Sequence, residues 1–178
     1  MTGYTMTAHP TLFQGRMYRS RLEAKWAAFF YLSAWPAEYE PFDLGTWSPD
    51  FILHGHYGID VLVEVKPTPL IDDRLRAKMV NAVRRGNMRT KVDLLLLGSS
   101  PEVKVQEYGL CLGTGFAPPG DSEYDPRDRE KWSVRHAMFM VMGRGLSCHA
   151  GGYAGSRCFP TSATWDAACN LVQWRPGR

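Results

Sequence analysis

The sequence predicts a mixed α/β fold: a central sheet of four to five strands flanked by helices, with a C-terminal extension. Three observations predict it. Leu22, Trp26, Phe29 and Phe30 recur at helical spacing. Residues 50–66 read as two strands around a Gly-containing turn, with apolar side chains in register across them. A second amphipathic helix then leads into the continuous apolar run Val92 to Leu97, which suits a strand covered on both faces.

In chain order, residues 1–15 read as a loose lead-in. From about Arg19 to Ser33 the pattern is helical, and Pro36 stops it. Tyr39 to Leu44 is a candidate first strand, held to a sheet edge by Pro41. Asp50 to His54 and Ile59 to Lys66 follow as a hairpin. A three-residue loop His56-Tyr57-Gly58, with Gly58 left-handed, sets a register in which Leu53 faces Val61, Ile52 faces Leu62, Phe51 faces Val63 and Asp50 faces Glu64. Asp72 or Asp73 caps the next helix, whose buried stripe is Leu75, Met79, Ala82 and Val83, with Gly86 as its stop. A further strand is expected within Val103 to Leu112. Gly113 to Lys131 is rich in Pro, Gly and acid and reads as a loop, Val134 to Met142 as strand or helix, Gly143 to Gly155 as irregular, and Thr161 to Gln173 as a terminal helix. The expected division is therefore a lead-in (1–15), a core (16–113), a loop or linker (114–131) and an extension packing on the core (132–178).

The 178 residues are enough for one domain with a real core. A formal charge of +3 excludes a polycation, so any nucleic-acid footprint must be local. No apolar stretch reaches membrane-spanning length, and the N-terminal residues lack the apolar core of a secretory signal, so a cytoplasmic protein is expected. Cys111, Cys148, Cys158 and Cys169 are widely and irregularly spaced, which suits reduced thiols better than a zinc module.

The chemistry concentrates on the hairpin. Directly opposed residues on paired strands have Cβ atoms about 4.5–5.5 Å apart, and like charges there repel. Asp50 and Glu64 are placed so, on the face that carries apolar Ile52 and Leu62. A divalent cation offsets that repulsion, and oxygen ligands suit Mg²⁺ or Mn²⁺. The Val65 carbonyl is a further candidate ligand. Lys66, two residues beyond Glu64, projects from the same face. Two acids, a metal and an amine suit phosphodiester hydrolysis: the metal activates water and clamps the reacting oxygens, and the lysine orients water or neutralises developing charge. The bland alternative is two solvated acids with Lys66 as a salt-bridge partner. Ser20-x-x-Glu23 fits a capping box, and Glu23 alternatively leans over the hairpin face to complete the metal shell.

Glu23, Pro49-Asp50 and Glu64-Val65-Lys66 together resemble the PD-(D/E)xK nuclease superfamily, over roughly Arg16 to Gly98. In that family an acid-bearing helix precedes a hairpin carrying Asp and then Glu-x-Lys, followed by a helix and another strand. The resemblance implies a restriction-endonuclease-like core, with Asp50 and Glu64 as metal ligands, Lys66 as the catalytic lysine and Glu23 as the helical acid. It also implies hydrolytic cleavage to a 5′-phosphate and a 3′-hydroxyl. The Gln-x-x-x-Tyr motif of RecB-type exonucleases is missing from Asp72 to Met88.

Seven bases and no acid lie between Arg74 and Lys91: Arg74, Arg76, Lys78, Arg84, Arg85, Arg89 and Lys91. Arg16, Arg19, Arg21 and Lys25 form a second basic group beside Glu23. Such groups give sequence-independent affinity for phosphates, although a charge run is also the ordinary make-up of a solvated helix face. The expectation is a Mg²⁺- or Mn²⁺-dependent DNA nuclease, phage-type or restriction-like, acting as a homodimer or as a subunit of a larger assembly, with RNA as another possible substrate. The competing expectation is a non-catalytic nucleic-acid-binding or protein-interaction module, of an antidefence type, on the same fold.

Overall fold

A computed structural model describes residues 8–54, 60–67, 73–86, 92–106, 109–117, 133–142, 145–148 and 162–173. The fold is mixed α/β, with three helices among the described residues. Near the N-terminus, β1 (Thr11–Phe13) and β2 (Arg16–Tyr18) form a small antiparallel hairpin. Part of the expected loose lead-in is therefore ordered. Gln14 and Gly15 both take positive φ (47° and 76°), the backbone a two-residue hairpin turn requires.

Helix α1 (Arg21–Leu32) starts at Ser20, whose hydroxyl accepts the Glu23 backbone N–H at 3.2 Å. It ends at Ser33, followed by Ala34 at a φ of 53°, two residues ahead of Pro36. Its buried side is Ala24, Trp26, Ala27, Ala28, Phe29 and Phe30. Burying each of the large side chains contributes about 1.5–3 kcal/mol. The Trp26 indole N–H also donates to the Gly98 carbonyl at 2.9 Å, tying the helix to the sheet.

The main sheet has the strand order β3-β4-β5-β6-β7-β8-β9. These are β3 (Ala37–Tyr39), β4 (Phe51–Leu53), β5 (Asp60–Val65), β6 (Val92–Gln106), β7 (Gly109–Ala117), β8 (Ser133–Met142) and β9 (Gly145–Cys148). All neighbours are antiparallel except β5 and β6, which run parallel. A parallel pair needs a crossover, and α2 (Asp73–Arg85) lies between the two strands in sequence.

The register of β4 on β5 is Leu53 on Val61, Ile52 on Leu62 and Phe51 on Val63, the register expected from a three-residue loop. Both strands are apolar throughout this stretch because each face has its own core. Phe51, Leu53, Val61, Val63, Val65, Leu95 and Leu97 pack with α1. Ile52, Leu62, Leu94 and Leu96 pack with Met79, Val80, Ala82 and Val83 of α2. Helix α3 (Ser162–Leu171) lies on the α1 side, where Trp165 meets Trp26 with ring centroids 4.6 Å apart.

Several expectations need correction. The first strand is Ala37–Tyr39 and stops before Pro41, because Glu40 turns the chain at a φ of 45°. The sheet is wider than four or five strands. Residues 113–117, expected to be loop, belong to β7, and residues 145–148, expected to be irregular, form β9. Val134 to Met142 is strand. The hairpin loop, the acid-rich stretch of residues 121–130 and Cys158 lie outside the described residues.

Gly113 faces Leu97, and a Cβ placed on it would lie 2.2 Å from the Leu96 carbonyl oxygen. A backbone atom cannot move aside as a side-chain tip can. Gly113→Ala is expected to cost about 1–3 kcal/mol through overpacking, read as a lowered midpoint in denaturant unfolding.

Candidate functional site

Asp50 lies immediately before β4, and its backbone bridges both neighbouring segments. Its N–H donates to the Val63 carbonyl at 2.8 Å, and its carbonyl accepts the Glu40 N–H at 2.9 Å. Its side chain is turned inward: Asp50 is only 3% exposed, and its Oδ2 accepts the Val65 backbone N–H at 2.7 Å. Glu64, at 5% exposure, sits on β5, a strand covered on both faces. Its Oε2 accepts the Trp47 indole N–H at 2.8 Å, and its Oε1 pairs with Lys66 Nζ at 2.6 Å. Lys66 follows β5 and is about half exposed, so its ammonium joins a buried acid to the solvent edge.

Glu23 is 8% exposed. Its Oε1 accepts the Ser20 hydroxyl at 2.8 Å, and its Oε2 accepts the Tyr39 hydroxyl at 2.5 Å. The carboxylate therefore ties the helix start, through the Ser20 hydroxyl, to β3, through the Tyr39 hydroxyl. Burial, followed by the bond to Glu23, raises the Tyr39 phenol pKa and keeps it protonated.

Arg19 completes the site. Its Nη2 pairs with Asp50 Oδ1, its Nε lies 2.9 Å from Glu40 Oε1, and Glu23 Oε2 is 3.7 Å away. Sequence alone places Arg19 with the basic group beside Glu23 and assigns Trp47 no role, whereas both are partners of the buried acids. The available signal was a tryptophan three residues ahead of Asp50: a buried indole N–H needs an acceptor. The loop that presents it is organised by Asp43, whose Oδ1 accepts the Gly45 N–H and the Ser48 hydroxyl, each at 2.8 Å.

The electrostatics follow from burial. Loss of water, then the neighbouring Glu64 charge, push the Asp50 carboxyl up to about 7, against the pull of the Val65 N–H and Arg19. Asp50 and Glu64 offer hard oxygen donors, each already paired with a cation, Arg19 and Lys66. Among the described residues no group of three or more His, Cys, Asp or Glu gathers to hold a metal ion. The type of donor nevertheless fits Mg²⁺, which commonly takes one or two carboxylates and fills its remaining positions with water and substrate phosphate.

The expected nucleic-acid residues fall in two places. Arg74, Lys78, Arg84 and Arg85 are exposed on α2 and Arg76 is half-buried, away from the side that packs on the sheet. Arg89 and Lys91 lie outside the described residues. Arg21 and Lys25 of α1 line an open groove of about 380 Å³ with Cys169, Val172 and Gln173 at the α3 end. Cys169 is a free thiol. No described helix is long and apolar enough to cross a membrane. Compared with known proteins, the chain matches no family model, and no curated protein or solved structure matches it significantly.

Two outcomes follow. The folded state binds a proton at Asp50 more tightly than the unfolded chain does, so chelator-treated protein should lose stability as pH rises from about 4 to about 7. Unfolding midpoints at pH 5 and pH 8 should differ in that direction, and Asp50→Asn should flatten the difference. Trp47→Phe removes the donor on Glu64 and should cost about 1.5–3 kcal/mol, because a buried charged acceptor loses its partner.

Proposed function

We propose that this chain is a Mg²⁺- or Mn²⁺-dependent nuclease of the PD-(D/E)xK type that hydrolyses phosphodiester bonds in DNA. The observation that carries the reading is the burial of Asp50 beside Glu64, with Lys66 paired to the second acid at the solvent edge. Burying two like charges side by side is costly even with Arg19 and Lys66 paired to them, and a dication offsets the repulsion more strongly than either cation. In this reading Asp50, Glu64 and the Val65 carbonyl hold the metal, which when bound supplies a water of lowered pKa and a positive clamp on the reacting phosphate.

The remaining work falls to side chains of the chain. Val65 N–H and Trp47 N–H each take one oxygen of an acid, orienting the carboxylates before any ligand arrives. Lys66, released from Glu64, orients the attacking water or neutralises charge gathering on the phosphate. Glu23 acts through Ser20, Tyr39 and Arg19, holding the start of α1 against β3. The bases of α1 and α2 supply phosphate contacts along the substrate.

A second reading has its own support. Arg19 and Lys66 already give each buried acid a cationic partner, so the cluster is self-neutralising as it stands. That suits a binding module on the same fold, with no cleavage. The deciding experiment incubates the purified protein with linear, circular, branched and single-stranded DNA and with RNA, in Mg²⁺ and in Mn²⁺. The nuclease reading expects cleavage of at least one form, and a loss of about 10²-fold or more in Lys66→Ala and Asp50→Ala. Binding without cleavage of any form establishes the module. Cleavage unaffected by either variant places the active centre elsewhere.

A further inference from the structure

We propose that Arg19 is a resident cation that a dication displaces from Asp50, and that the freed guanidinium then grips the substrate phosphate. The inference rests on the nuclease reading and adds an order of events to it. Asp50 has two carboxylate oxygens. Oδ2 is committed to the Val65 backbone N–H at 2.7 Å. Oδ1 is therefore the oxygen open to an incoming cation, and it is the one that Arg19 Nη2 holds. Metal and guanidinium compete for the same atom.

The geometry also sets where the displaced group goes. The Arg19 backbone is pinned, because its N–H donates to the Tyr39 hydroxyl at 3.0 Å, while its side chain is 57% exposed. Glu40, itself half exposed, keeps its Oε1 2.9 Å from Arg19 Nε. Leaving Asp50 therefore frees the Nη edge without releasing the side chain from the rim of the site. A planar guanidinium so placed matches two oxygens of a phosphodiester, a fit that a lysine ammonium lacks. Lys66 is the cation paired with Glu64 at the end of β5, so Arg19 is the one that metal binding at Asp50 sets free.

Coupling follows from the shared ion pair. A dication favours the state with Asp50 free, and a phosphodiester favours the state with Arg19 free. These are one state, so each ligand strengthens the binding of the other by the same factor. The site would then take up metal weakly without nucleic acid and strongly with it.

Calorimetric titration with Mn²⁺ alone tests the first half. Arg19→Ala should bind Mn²⁺ about tenfold more tightly than wild type, because the competitor is gone. Arg19→Gln, which keeps the length of the side chain, should do the same and serves if the alanine variant does not fold. Asp50→Asn should abolish the binding. Fluorescence anisotropy with a short phosphorothioate oligonucleotide tests the second half: Mn²⁺ should tighten its binding to wild type, and the tightening should vanish in both Arg19 variants. A gain for a variant in metal affinity together with a loss of coupling is something a merely structural residue would not produce. Mn²⁺ bound equally by wild type and both variants, and lost only in Asp50→Asn, overturns the role of Arg19 and leaves the metal site standing. Absence of Mn²⁺ binding by wild type and variants alike overturns the metal-dependent reading and this inference with it.

Discussion

Two carboxylates buried next to each other at the end of a central hairpin set the terms for the rest of this structure. Asp50 and Glu64 are nearly inaccessible to solvent, and each repels the other's charge. A folded domain meets such a cost with hydrogen bonds and countercharges. The Val65 N–H and the Trp47 indole each serve one acid, and Arg19 and Lys66 supply the positive charge. Glu23 and Glu40 then balance Arg19 in turn.

The sheet makes this arrangement possible. Strand β5 pairs on both edges and is covered by α1 on one face and α2 on the other, so a side chain at Glu64 has no route to bulk water except past the strand end. Hydrophobic packing thus fixes the acids in place, and the aromatic cluster of Trp26, Phe29, Phe30 and Trp165 keeps α1 seated against them. Stability and site geometry come from the same contacts. A loosened helix would move Ser20, and with it the partner of Glu23 and the start of the Arg19 side chain.

Much of the core was legible because its signals are local and periodic. A three-residue loop after Gly55 sets the register of residues 51–53 on 61–63, and that is the register found. The stripe of Trp26, Phe29 and Phe30 and the continuous run into Leu97 likewise carry their structure in their spacing. The far side of the sheet was less legible. Strand β7 contains Gly113 and Gly115, which read as loop residues, and at Gly113 a Cβ would run into the Leu96 carbonyl. The β1–β2 hairpin was missed because its turn is Gln-Gly and its strands have only three residues each.

By itself the sequence determined which residues could be chemical: one helical acid, an Asp and a Glu-x-Lys at hairpin spacing, and bases clustered in two stretches. That much follows from residue type and from the two-residue period of a strand. Only the tertiary structure decided the electrostatics. Whether Asp50 is solvated or buried, and whether Arg19 is a surface base or the ion-pair partner of an acid 31 positions away, depends on how α1 docks on the sheet. Burial and long-range pairing belong to the packed molecule, because the dielectric around a charge is set by neighbours that no local pattern specifies.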